Sequence, residues 1–268
     1  MSDTSQTGFP RPVTFAGSLG VSWRTFRGRF HVLVGLFIVV YIVASTLPYA
    51  LFAALPSVSR TVVGVQLLYL AVMFGLSVCT AVAAVIVVDE YAGKTTLARE
   101  AWRTVIPRLR DVFIVCLITS LFALLLSQVL FAGYLGLLLT VAIFMGPPVV
   151  VQVLVVEELP LREAWARSRE LLKMQWGRTI MYIFNIALLS TFVTAFAVQS
   201  FILETTETSD VLSFLMTRVI EAILYAGSAA FLAVLGTTIY LDIRARKEGL
   251  DEETLAEERF TEAVASPG

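Results

Sequence analysis

Apolar positions in this chain do not alternate with polar ones; they collect in long uncharged runs. Residues 30–59, 61–88, 112–156 and 179–203 contain no Asp, Glu, Lys or Arg, and 219–241 contains only Glu221. A membrane crossing needs about 20 apolar residues at about 1.5 Å rise per residue. The first two runs hold one span each, at about 32–54 and 63–88. The third run is 45 residues long, too long for one helix and suited to a hairpin of two. Its break is expected near Ala132-Gly133-Tyr134, since glycine lowers helix propensity. Residues 179–203 give a fifth span and 219–241 a sixth. The pattern predicts an all-α, polytopic membrane protein with six transmembrane helices, each keeping its backbone hydrogen bonds internal, as lipid demands.

Shorter segments between the runs follow a helical period. In 161–176, Leu161, Ala164, Trp165, Ser168, Leu171, Leu172 and Trp176 share one helical face, and Arg162, Glu163, Arg167, Arg169, Glu170 and Lys173 fall opposite. In 98–109, Ala98, Ala101, Trp102, Val105, Ile106 and Leu109 form the stripe, and Pro107 is expected to kink or end that helix. In 19–30, Leu19, Trp23, Phe26 and Phe30 line up. Each segment reads as an amphipathic helix in the cytoplasmic interface, its apolar side in the acyl boundary and its Arg and Lys on anionic headgroups. Trp23, Trp102, Trp165 and Trp176 are the candidate interfacial anchors.

These helices recur with the spans. LAREAW at 97–102 matches PLREAW at 160–165, so Arg99, Glu100, Ala101 and Trp102 correspond to Arg162, Glu163, Ala164 and Trp165. Val87-Val88-Asp89-Glu90 ends the second span as Val155-Val156-Glu157-Glu158 ends the fourth. A weaker copy, Gly20-Val21-Ser22-Trp23-Arg24, precedes the first span. The expected organisation is a polar segment 1–14, a membrane domain 15–246 and an acidic cytoplasmic tail 247–268. Within the membrane domain, three parallel repeats (about 15–90, 91–158 and 159–246) each hold one interfacial helix and one transmembrane hairpin. The tail reads as solvated, with a short helix in 251–262.

The pattern VVEE–LPLREAWARSRELLK–W, together with Tyr240-Leu241-Asp242-Ile243-Arg244-Ala245-Arg246-Lys247-Glu248-Gly249-Leu250, resembles the membrane domain associated with glycerophosphoryl diester phosphodiesterases. The resemblance covers about 15–250. It implies an architecture only. The phosphodiesterase activity belongs to a separate soluble barrel, whose His and Glu residues have no counterpart here.

Composition narrows the class further. Apolar residues make up 57% and charged residues 15%, against roughly 25% charged in soluble domains, and the mean hydropathy is +0.82. A net charge of −1 offers no basic face for nucleic acid. Cys79 and Cys116 sit in apolar runs and read as packing residues, and the single histidine, His31, leaves no His-based metal centre. Eighteen of the 20 basic residues fall on one side of the expected spans, all but Arg60 and Arg218. The expected topology is therefore multi-pass in the plasma membrane with both termini cytoplasmic. Residues 1–20 are polar and the first apolar run is too long for a signal core, so it is read as a retained span.

Two constellations are candidates for function. Asp89, Glu90, Glu157, Glu158 and Asp242 close the even-numbered spans at equivalent positions. They form either a carboxylate ring at a cytoplasmic mouth, suited to a cation or a proton relay, or headgroup-level partners of nearby arginines. Gly146, Pro147 and Pro148 break the fourth span. The freed carbonyls either line a site or merely kink the helix for packing. With no GxSxG, no HExxH, no Asp-rich metal motif and no His cluster, no catalytic residue, metal ligand or cofactor is expected. The reading is a non-enzymatic integral membrane module, a scaffold or a factor in membrane and lipid homeostasis. Its partners are membrane lipids and a membrane or cytosolic protein. The alternative is a small-solute or lipid transporter with its site near the Gly-Pro-Pro break.

Overall fold

The computed structural model describes residues 15–52, 57–130, 149–173, 211–251 and 253–258. Every regular element among them is helical: α1 Phe15–Gly28, α2 Phe30–Phe52, α3 Ser57–Tyr91, α4 Ala98–Val105, α5 Leu109–Leu130, α6 Val150–Val156, α7 Leu161–Leu172 and α8 Val211–Glu248. A helical turn follows at 253–258. Among the described residues two helices are long and apolar enough to cross a membrane, Leu70–Tyr91 and Ala222–Glu248. The bent pair Gly17–Gly28 and Phe30–Val43, turning by 81°, makes a third candidate. At 1.5 Å per residue, the 22 residues of Leu70–Tyr91 extend about 33 Å, the thickness of a hydrocarbon core. The first, second and sixth expected spans fall on α2, α3 and α8, the third on α5, and the fourth ends in α6. The fifth span, the Ala132-Gly133-Tyr134 break, Gly146, Pro147, Pro148 and Trp176 lie outside the described residues.

Helix α3 is the centre. Every residue from Ala81 to Asp89 is buried, as expected of a helix apolar on all sides. Around it pack α2, α4, α5, α6 and α8. Its Ala81, Ala83 and Ala84, with Ala226, Ala229, Ala230 and Ala233 of α8, are buried small residues, of the kind that let helix backbones approach closely. Helix α1 lies on α8, where Trp23 and Phe26 meet Phe231 at ring-centroid distances of 6.0 and 5.7 Å.

Local chemistry sets the helix ends. Pro107 has no amide donor, so α4 stops at Val105 and a 3-10 turn over Ile106–Arg108 leads into α5. Gly93, at φ +74°, closes α3: the Lys94 amide bonds back to the Asp89 carbonyl at 2.8 Å and the Gly93 amide to that of Glu90 at 3.1 Å. That pair of bonds is a Schellman cap, and its left-handed residue is best supplied by glycine. After α6 the left-handed residue is Glu158, at φ 51°.

Helices α1, α4 and α7 each have a buried and an exposed face. Ser18, Ser22 and Phe26 are buried in α1, Ala101 and Val105 in α4, and Ala164, Ser168, Leu171 and Leu172 in α7. Helix α7 ends at Leu172, short of the expected 176. The tail departs from its expected solvated course. Leu250 and Leu255 are buried on either side of a turn at Gly249, whose φ is +69°. The turn starts with a reciprocal cap, Thr254 N–H to Asp251 Oδ1 at 2.9 Å and Asp251 N–H to Thr254 Oγ1 at 3.0 Å. The Thr254 amide and hydroxyl, both donating to Oδ1, hold the Asp251 carboxyl below the usual carboxylate range.

Candidate functional site

The five acidic residues singled out from the sequence lie at the charged ends of α3, α6 and α8, and each has a partner within the chain. Asp89, almost fully buried, accepts the Thr96 hydroxyl at 2.6 Å. Glu90 pairs with Arg29 at 3.2 Å. Glu158 pairs with Arg108 at 2.9 Å. Asp242, also buried, pairs with Arg246 one turn later at 3.1 Å. Glu157 is the most heavily engaged. It accepts Arg167 Nε at 2.9 Å and the Tyr240 hydroxyl at 2.8 Å, and Arg244 approaches to 3.7 Å.

Glu157 therefore opens a larger cluster. Arg244 is buried and reaches Glu248 at 2.9 Å. Its two terminal nitrogens meet both oxygens of Glu258 at 3.2 and 3.1 Å, the two-pronged geometry for which a guanidinium is shaped. Arg167 also pairs with Glu248 and lies 3.7 Å from Glu170. Burial works against the charge on Arg167, yet the carboxylates of Glu157 and Glu248 hold its guanidinium above the usual arginine value. Lys247 donates to the Glu170 carbonyl. Two arginines thus join the end of α6, helix α7, the end of α8 and the 253–258 turn.

Arg108 plays a comparable part after α4. It donates to the Leu154 and Leu159 carbonyls at 2.8 and 3.4 Å as well as to Glu158. A left-handed non-glycine residue costs about 1 kcal/mol, and Arg108 fastens the peptide on both sides of Glu158. Arg29 sits after α1 as Arg108 sits after α4, six residues beyond Trp23 and Trp102 respectively.

The tryptophans differ in setting. Trp23 is 55% exposed, whereas Trp102 and Trp165 are half-buried and packed on the core. His31 is exposed, and Cys79 and Cys116 are buried thiols. Among the described residues no group of three His, Cys, Asp or Glu side chains is placed to hold a metal ion. Sequence reasoning left Arg167, Tyr240, Arg244, Glu248 and Glu258 outside its candidate set. The signal was present in part: Tyr240, Arg244 and Glu248 recur every four residues at the end of an apolar run, on one helical face.

Removing the Tyr240 hydroxyl tests how tightly the cluster is built. Tyr240 is fully buried, and a hydrogen bond to a charged acceptor contributes about 1.5 kcal/mol or more. Tyr240→Phe should therefore lower the thermal unfolding midpoint in detergent while leaving expression intact. An unchanged midpoint would mean that the hydroxyl contributes nothing.

No family model, no curated protein and no solved structure matches this chain.

Proposed function

We propose that this protein is a non-enzymatic integral membrane module of six spans, built from three parallel repeats of interfacial helix and transmembrane hairpin. Both termini are cytoplasmic in the plasma membrane. On this reading it acts as a scaffold or in lipid homeostasis through its cytoplasmic-side helices, with membrane lipids and a membrane or cytosolic protein as partners. Its architecture is that of the membrane domain associated with glycerophosphoryl diester phosphodiesterases.

One observation carries the repeat. Residue by residue, α4 and α7 share one burial sequence from Ala98/Leu161 to Pro107/Glu170: Ala101 and Ala164 buried, Trp102 and Trp165 half-buried, Val105 and Ser168 buried. The α1 positions Ser22 and Phe26 follow the same order on either side of Trp23. The 81° bend from α1 into α2 supports the elbow geometry. Equal burial in segments far apart in the chain is expected when each packs its span pair in the same way.

Alkaline-phosphatase fusions test the topology. Fusions after residues 95 and 170 should be inactive, and fusions near residues 56, 133 and 207 active. Activity at 95 or 170 would overturn the orientation. Inactivity at 133 or 207 would overturn the six-span count.

A second reading, a small-solute or lipid transporter with its site near Gly146, Pro147 and Pro148, has one observation in its favour. Gln152 in α6 is 3% exposed, and its Oε1 has no hydrogen-bond partner among the described residues. A buried unpaired amide oxygen is costly and suits an occupant that donates to it.

A further inference from the structure

Apart from Arg110, exposed on α5, and Arg246, exposed yet paired with Asp242, the described arginine side chains divide into two classes. Arg29, Arg108, Arg167 and Arg244, all at least half-buried, are paired with carboxylates. Arg24 and Arg27 of α1, Arg99 and Arg103 of α4, and Arg162 and Arg169 of α7 are exposed, and none has a carboxylate partner among the described residues. Their spacings of three, four and seven residues put each pair on one helical face. That face is opposite the one buried by Ser22 and Phe26, by Ala101 and Val105, or by Ala164 and Ser168. The fold thus satisfies the cations it buries and leaves a pair outward on each of these three helices.

We infer that these outward pairs form a docking surface for anionic glycerophospholipids, strongest along α1, whose phosphodiester oxyanions accept guanidinium donors in pairs. The inference rests on the interfacial placement proposed above and adds to it a lipid class and a ranking. Helix α1 contains no acidic residue, so Arg24 and Arg27 act unopposed. In α4 Glu100 is turned back onto the Leu97 amide at 3.2 Å, leaving a smaller excess. In α7 the exposed Glu163 and Glu170 offset Arg162 and Arg169. Trp23, next to Arg24 and 55% exposed, places an amphipathic ring beside the strongest pair.

Trp23 is also the probe. A protein carrying Trp102→Phe, Trp165→Phe and Trp176→Phe, reconstituted in phosphatidylcholine vesicles, reports the local lipid through quenching by brominated chains. Brominated phosphatidylglycerol should be preferred over brominated phosphatidylcholine by about fivefold, the worth of one basic residue at an anionic surface. Arg24→Gln/Arg27→Gln should bring the ratio to parity, and Arg24→Lys/Arg27→Lys should largely restore it. In the unaltered pair, salt at about 0.5 M should reduce the preference, a readout independent of whether the glutamine variant folds. Equal quenching by both lipids, or a preference that survives Arg24→Gln/Arg27→Gln, overturns the inference and leaves the interfacial reading standing. No quenching by either lipid overturns the interfacial placement itself.

Discussion

Arg244→Met is expected to destabilise the protein by about 3–5 kcal/mol, the cost of removing one partner from a buried ion cluster. Methionine replaces the stem of the side chain and none of its charge. What remains is Glu157, with 12% of its side chain exposed, beside Glu248 at 26%. Glu258 is 47% exposed and regains water easily, so most of the loss comes from the other two. Adding Glu157→Gln to Arg244→Met should recover part of the deficit, because it removes the most deeply held carboxylate. Thermal or denaturant unfolding in micelles measures both. A single variant within about 1 kcal/mol of the parent would show that these charges are solvated and that the cluster contributes little.

Ala101→Leu and Ala164→Leu should each cost about 2–3 kcal/mol, and by similar amounts. Both alanines are 0% exposed and lie on the buried faces of α4 and α7. Three added carbons have no space there, and overpacking forces rotamers and backbone to shift. Ala166→Leu, on the exposed face two residues further along α7, should stay within about 0.5 kcal/mol. Unfolding midpoints compare the three. A large loss at Ala101 with none at Ala164 would separate the two helices and remove the main support for a repeat.

What the sequence could express was order along a helix. Of the stripe positions, Phe26, Ala101, Val105, Ala164, Ser168, Leu171 and Leu172 are buried whereas Trp23, Phe30 and Ile106 are exposed, and Pro107 ends its helix because its ring decides the matter within one turn. What it could not express was adjacency between helices. Arg29 stands 61 residues from Glu90, Arg108 50 from Glu158, and Tyr240 83 from Glu157. A periodic pattern names the face of a helix that is covered, and says nothing of what covers it. The tail escaped for a related reason. Leu250 and Leu255 are brought to the core by the left-handed turn at Gly249, so they never form a stripe at helical spacing. The carboxylates at the span ends were legible as a set; their individual partners required the fold.

The two long-range pairs made by Arg29 and Arg108 also constrain the path of the chain. Arg29 ties the start of α2 to Glu90 at the end of α3, and Arg108 ties the start of α5 to Glu158 just beyond α6. Each stretch of chain so enclosed is a closed excursion that returns to its point of departure. A closed path meets any plane an even number of times. Wherever a bilayer lies, Arg29 and Glu90 therefore share one side of it, as do Arg108 and Glu158, and helices α4 and α7, which follow directly, begin beside the points from which α2 and α5 set out.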